Sequence, residues 1–360
     1  MNSADHADAH VAGNVSILSV ADCPAIETHP VQVLCRRDGA EARQVINMQR
    51  PTRFDQLMTV LVEETSAAPH AAPIPIRSGK DALRWTYRHA RDLSARYGAP
   101  TRFDRPVLDT RHIEPNNFAH LLHNIIPLCL EARKTAGPDV AFVLKKLDRG
   151  LETKIRELLS QFAIDPVVTD KTIKGPIVHI RGSRGFAVYD LPAFDCEVIN
   201  FFPKVYDQYA VKKTIAFDKV FLSRRGARAL VNHAEVERIL NAHGYKTIYM
   251  EDHSIQDQIS IGANSRHVVA IHGAAMAYLT FAKRIESVIE LLPPHVYHEY
   301  FPVALGANVG NYVLVIQDLD PRVAHSGWET IYRFKNQPFA ANIALLEQAL
   351  ALAERPHTAS

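Results

Sequence analysis

What this chain of 360 residues has little of narrows its class before any motif is read. No apolar run approaches the roughly 20 residues that a membrane-crossing helix needs. The opening MNSADHADAHVAGN has neither the basic start nor the apolar core of a secretory signal. Cysteine is scarce: the 4 residues Cys23, Cys35, Cys129 and Cys196 are scattered without CxxC spacing. Reduced thiols in a cytoplasmic protein are therefore expected, rather than a disulfide frame or a zinc site. An excess of one charge sign is missing too, because 41 Lys and Arg stand against 39 Asp and Glu, a net +2. That balance argues against nucleic acid as a partner held by bulk charge. There is no GxGxxG after a strand and no GxxxxGK[ST], so the common dinucleotide and P-loop signatures are excluded.

What is present describes a globular α/β protein. Hydrophobic residues make up 47% and charged residues 22%, and the length exceeds what one core usually organises, so two domains are expected. Residues 1–30 read as a flexible, Ala-rich N-terminus. His6 and His10 in DHADAH could ligate a metal, but they belong to that tail, and no metal site is assigned. Residues 31–205 read as one Rossmann-like domain, 206–335 as a second, and 336–360 as a helix packing back, with a tail. In the first, HPVQVLCR suggests a strand and FDQLMTVLVEE a short helix. The Pro- and Ala-rich stretch Ala67 to Lys80 reads as a linker, and DALRWTYRHARDLSARYG as a helix stopped at Gly98. RPVLDTRHI and DVAFVLKK look like strands, PNNFAHLLHNIIPLCLEARKTAG and GLETKIRELLSQFAI like helices, and GPIVHI with FAVYD like a hairpin around RGSRG.

The second series is plainer. FDKVFLSRR, YKTIYM, HVVAIHG, IESVIELL and NYVLVI read as strands. NHAEVERILNAHG reads as a helix capped by Asn232, with Glu235 at capping-box spacing and Gly244 as its stop. SIQDQISIGANS is a helix capped by Ser254, AAMAYLTF begins another, and QPFAANIALLEQALALAER is the long closing helix. Strands alternating with helices of this length predict βαβ units and a parallel sheet.

In such a sheet, ligands sit beyond the carboxyl ends of the strands. Three groups fall there: Ser223, Arg224 and Arg225; His272, Gly273 and Ala274; and Glu290. Guanidinium groups hold phosphate through a fixed fork, a helix start offers free N–H groups, and Gly273 with Ala274 leaves room for a phosphate to approach. Alone, a His-Gly is usually a turn and an Arg pair usually solvated; their convergence would make a diphosphate cradle. In the first half, Asn116 is read as the cap of a helix whose residues Phe118, Leu121, Leu122, Ile125, Leu128 and Cys129 share an apolar face. Asn116, His120, His123, Asn124 and Glu131 fall towards the other face, and Pro127 should kink or shorten the helix. Imidazole on a polar face past a strand end is suited to general base work.

The order of the pieces from VFLSRRGARAL through HGAAMAYLTF to SVIELLP resembles glycosyltransferase family 61, a family of bacterial capsular and lipopolysaccharide sugar transferases and their eukaryotic relatives. The positions that carry the resemblance are Arg224 or Arg225, Arg228, Asn232, Gly244 with Tyr245, Gln258, His272-Gly273-Ala274 and Glu290. NNFAHLLHNIIP resembles the family's Asn-aromatic-x-His helix, with Asn117 and His120 on it. The resemblance spans roughly residues 110 to 295. It departs from the family where Gly-Leu-Thr-Asn often follows His-Gly-Ala, and where some relatives carry an acidic residue at the position of Asn124.

The resemblance implies a GT-B fold, two Rossmann-like domains with a cleft between them, and an inverting, metal-independent transfer of sugar in surface polysaccharide synthesis. No cofactor is implied beyond the nucleotide sugar itself, a UDP-sugar first. Ser223, Arg224, Arg225, Arg228, Gln258, His272, Gly273, Ala274 and Glu290 would line the donor side, with Glu290 on the ribose or base and His272 on the pyrophosphate or leaving sugar. Asn117 and Asn124 would lie on the acceptor side, and His120, then His123, would be the catalytic base. The acceptor would be a glycan or lipid-linked saccharide, reached from the cytoplasm with peripheral membrane contact; a homodimer is compatible with all of this. The rival readings are a GT-B-shaped nucleotide-sugar epimerase or phosphorylase, and a non-catalytic scaffold of a polysaccharide-assembly complex.

Overall fold

The computed structural model describes residues 15–22, 30–37, 40–46, 57–67, 98–111, 113, 115–181, 215–294, 300–305, 308–317 and 336–354. His6 and His10, most of the linker, the helix expected before Gly98, and the RGSRG turn with FAVYD lie outside the described residues. The chain divides into two compact units, residues 1–23 with 54–194, and residues 24–53 with 195–360. Among the described residues, no helix is long and apolar enough to cross a membrane.

The first unit is built on a mixed sheet. Its strands are β1 (Val15–Asp22), β4 (Leu57–Ala67), β5 (Thr101–Arg102), β6 (Val107–Asp109), β7 (Ala141–Leu144), β8 (Pro166–Val168) and β9 (Ile173–Arg181), in the order β1-β4-β9-β6-β7-β8 with β5 on β9. β9, β6, β7 and β8 run parallel, as expected of a βαβ series, while β1, β4 and β9 pair antiparallel. Two expectations are corrected here. Leu57–Ala67 is a strand and not a short helix, because nine of its residues pair with β9 from Thr59↔Arg181 to Ala67↔Ile173. β1 lies inside the stretch read as a flexible terminus, held by its own ladder to β4. The core of this sheet is Val107, Ala141, Val143, Ile173 and Ile177. The helix Arg149–Ser160 is capped by Asp148, whose side chain accepts from Leu151 N, and it buries Ile155, Leu158 and Leu159.

In the second unit the order is β11-β10-β12-β13-β14-β2-β3, with β2 at Val31–Arg37, β3 at Ala40–Ile46, β10 at Lys219–Ser223, β11 at Lys246–Tyr249, β12 at His267–Ile271, β13 at Ile285–Leu292 and β14 at Val309–Ile316. All pairs are parallel except β2 with β3. The pair β2–β3 thus extends the second sheet through β14, whereas the sequence reading draws residues 31–205 as one domain; backbone pairing at Tyr312↔Val31 decides its place.

One face of this sheet buries Phe221, Val269 and Ile289 against two helices, His233–Ala242 and the closing helix Ile343–Ala353. The first stops where expected, at Gly244 with φ +82. Its Asn232, however, caps nothing with its side chain. It clamps residue 341 instead: Asn232 Nδ2 donates to Ala341 O, and Ala341 N donates to Asn232 Oδ1, both at 2.9 Å. The helix Ile255–Asn264 is capped by Ser254 as expected. The stretch Ala274–Phe281 is a 3-10 helix and not an α-helix.

Candidate active site

The parallel order fixes where the chemistry of the second unit gathers. From β10 the chain goes to β11 on one side, then returns to lay β12 on the other side of β10. The crevice at such a reversal, beyond the carboxyl ends of the strands, is where open α/β sheets bind ligands. The residues that follow β10 and β12 therefore meet at this edge. Arg224 Nη1 donates to the His272 carbonyl at 3.1 Å, and Arg228 Nη1 donates to the same oxygen at 3.4 Å.

Two guanidinium groups thus share one carbonyl. Burial holds Arg224 below the ordinary arginine range, against the pull of Glu251. Burial also lowers Arg228, and the neighbouring Arg224 lowers it further. The buried Arg224 Nε has no hydrogen-bond partner among the described residues, although a guanidinium offers five N–H groups in a fixed fork. Arg228 also has an uncommon backbone, at φ +61. Hydrogen bonds from its N to Asn336 O and from Nη2 to Asn336 Oδ1 hold it there.

Gly273 also meets Arg224. Its backbone is extended, so no left-handed conformation requires glycine. A Cβ at this position would lie 2.4 Å from Arg224 Nη1. The missing side chain makes room for the guanidinium itself.

Arg225 parts company with Arg224. It is exposed and forked by Asp252, with Nη1 to Oδ1 at 2.7 Å and Nη2 to Oδ2 at 2.8 Å. Its guanidinium carbon stacks 3.9 Å from the centre of the Tyr249 ring. The Asp252 bond raises Arg225, and Arg225 lowers Asp252.

The other donor-side residues have internal partners. Ser223 is buried, with Oγ 3.0 Å from His233 Nε2, and the Tyr249 hydroxyl lies 3.0 Å from the same nitrogen. Gln258 is buried and donates from Nε2 to His253 O at 2.9 Å. Glu290 is wholly buried, 2.5 Å from His272 Nδ1 through Oε1, and it accepts the Tyr312 hydroxyl at 2.6 Å through Oε2. The edge of the Phe301 ring packs on His272 at 5.6 Å. His233, Tyr249, Asp252 and Tyr312 were not found by sequence reasoning. Lone His, Tyr and Asp residues carry no motif, and only the pairing of distant strands brings them to this edge.

In the first unit, the helix after β6 begins at Phe118. Asn117, and not Asn116, is its cap, accepting from Ala119 N at 3.0 Å. Three residues later the helix widens into a π turn over Leu121–Ile125, where Ile126 N donates to Leu121 O, before Ile126–Ala136 resumes as α. Pro127 accounts for this: in a regular turn its ring would press on the carbonyl of His123 and leave it without a donor. Turns of this kind are frequent at functional sites.

The expected polar face is corrected too: His123, Asn124 and Glu131 are buried, while His120 is half-buried. Asn124 Nδ2 lies 3.5 Å from His120 Nδ1, and the buried Asn124 Oδ1 has no partner among the described residues. Among the described residues, no three His, Cys, Asp or Glu side chains converge as metal ligands.

Residues 118–289 match the family Glycosyltransferase 61, which bears out the resemblance read from the sequence. Asn117 and Glu290 stand one residue outside the match at either end. A comparison with curated proteins gives no match.

Proposed function

We propose that the edge between β10 and β12 binds the diphosphate of a nucleotide sugar, a UDP-sugar first, and that the sugar passes to a hydroxyl of a glycan or lipid-linked acceptor. The observation that carries this reading is the convergence of Arg224 and Arg228 on the His272 carbonyl at the reversal of strand order. As the bond to the anomeric carbon breaks, negative charge grows on the departing diphosphate. Preorganised donors aimed at that charge lower the barrier without reorganising. The two converging guanidinium groups and the unused Arg224 Nε suit that task, in a reaction that needs no metal for charge neutralisation. Arg225, already matched by Asp252, is left outside the cradle.

The acceptor hydroxyl must lose a proton during transfer, and inversion follows from direct attack on the donor. His120 is the proposed base. It is more accessible than the buried His123, and it stands immediately before the π turn, with Asn124 Nδ2 3.5 Å from its Nδ1. A GT-B arrangement of the two units, working at the cytoplasmic face on surface polysaccharide, completes the proposal.

Thermal shift against a panel of UDP-, GDP-, CMP- and TDP-sugars tests it, because a ligand of the folded state raises the melting temperature. One nucleotide class should stabilise the protein, and Arg224→Ala should remove the shift and lower transfer by about a hundredfold. A panel without effect on the wild type would overturn the donor site.

A further inference from the structure

Glu290 is the least ligand-like carboxylate at this edge. It is 0% exposed, in the middle of a parallel sheet, and a carboxylate there is costly unless donors meet its lone pairs. Register supplies the donors. Glu290 stands opposite Ala270 on β12 and Leu314 on β14. Side chains alternate along a strand, so Tyr312, two residues before Leu314, falls on the same face as Glu290. His272, two residues after Ala270, prolongs β12 by donating its N–H to Leu291 O at 3.0 Å.

The Tyr312 hydroxyl donates to Oε2, and burial, then the Glu290 charge, pushes the phenol well above the ordinary range, so that it keeps its proton. Oε2 is thereby fixed as an acceptor. Where Oε1 accepts as Oε2 does, the hydrogen between Oε1 and the imidazole belongs to nitrogen.

We infer that Glu290 and Tyr312 form a positioning relay that holds the ring proton of His272 on Nδ1, and that Glu290 touches no part of the nucleotide. His272 is then gripped twice, at its carbonyl by Arg224 and Arg228 and at Nδ1 by Glu290, with Phe301 against its ring. With Nδ1 committed, the ring meets anything on its other side through Nε2. The relay rests on these contacts; only its consequence for anion affinity rests on the diphosphate reading above.

Long-range proton–nitrogen spectra of the full chain labelled in histidine nitrogen test the relay, with His272→Gln assigning the signal. At a pH where free imidazole is neutral, His272 should carry its proton on Nδ1, with that proton shifted far downfield by the short bond to a carboxylate. Glu290→Gln should move the resonance upfield and weaken binding of inorganic pyrophosphate by about tenfold, the lower end of what losing such a supporting partner costs. Tyr312→Phe, which keeps the charge, should leave the proton on Nδ1 and weaken binding less.

A wild-type His272 with Nδ1 bare would overturn the relay, even if no variant folds. A folded Glu290→Gln protein with the His272 signal unmoved would do so as well. If inorganic pyrophosphate fails to bind the wild type while Nδ1 carries its proton, the diphosphate reading falls and the relay stands.

Discussion

Arg224 and Arg225 are adjacent and chemically identical, yet the sheet edge gives them different partners: a backbone carbonyl and an open N–H for the first, a carboxylate fork and an aromatic ring for the second. Nothing in the sequence distinguishes them, because alternation ends with β10 at Ser223 and the turn decides which side chain folds inward. Gly273 gives this assignment a sharp test. In Gly273→Ala, the new methyl group meets Arg224 Nη1 and must push that end of the guanidinium aside. The loss of transfer should match that of Arg224→Ala, about a hundredfold, and the double variant should be no worse than either single one. Additive losses in that cycle would show that the two positions act independently. Arg225→Ala, by contrast, removes an exposed ion pair that contributes little to stability, and should leave transfer within a few-fold of wild type.

Whole elements show where sequence patterning suffices and where it fails. The helices starting at His233, Ile255 and Ile343 were legible from spacing and from Gly244, Ser254 and the long apolar run. β4 was misread because Leu57 to Val62 is a nearly continuous apolar run, which fits a strand or a buried helix equally well by periodicity; only pairing with β9 settles it. Ala274–Phe281 has almost no polar residues to mark a face, so its 3-10 winding left no signal.

The π turn was half legible, since Pro127 announced a disturbance without its form. Pro127→Ala restores a donor and removes the ring, and helix interiors favour Ala over Pro by up to about 3 kcal/mol. That variant should melt higher in a thermal scan while transfer falls, because the His120–Asn124 geometry depends on the wide turn. A variant with both properties unchanged would mean that Pro127 does not shape the site. Asn232 was legible as an important position but not in its role. Asn232→Ala removes both bonds to Ala341 and should cost about 1–3 kcal/mol in denaturant unfolding, with earlier proteolysis near residues 336–354. A loss confined to the helix starting at His233 would favour a capping role instead.

At the scale of the whole molecule, strand order carries most of the functional meaning. The alternation of strands and helices from residue 217 onward was enough to predict a parallel sheet. It could not show that β12 returns beside β10, because pairing partners are not written locally. That return brings Arg224 and Arg228 to His272 across 44 to 48 residues of chain. The same long-range pairing places Tyr312 behind Glu290, the carboxylate inferred above to support His272.

Calorimetric titration with inorganic pyrophosphate of the wild type and of the Arg224→Ala, Arg228→Ala and Arg225→Ala proteins tests the claim on which the rest depends. Arg224→Ala and Arg228→Ala should each weaken binding by about tenfold or more, the scale of a charge-assisted hydrogen bond at 1.5–3 kcal/mol, while Arg225→Ala binds nearly as the wild type does. Binding that collapses in Arg225→Ala and persists in the other two would place the anion elsewhere and contradict the account.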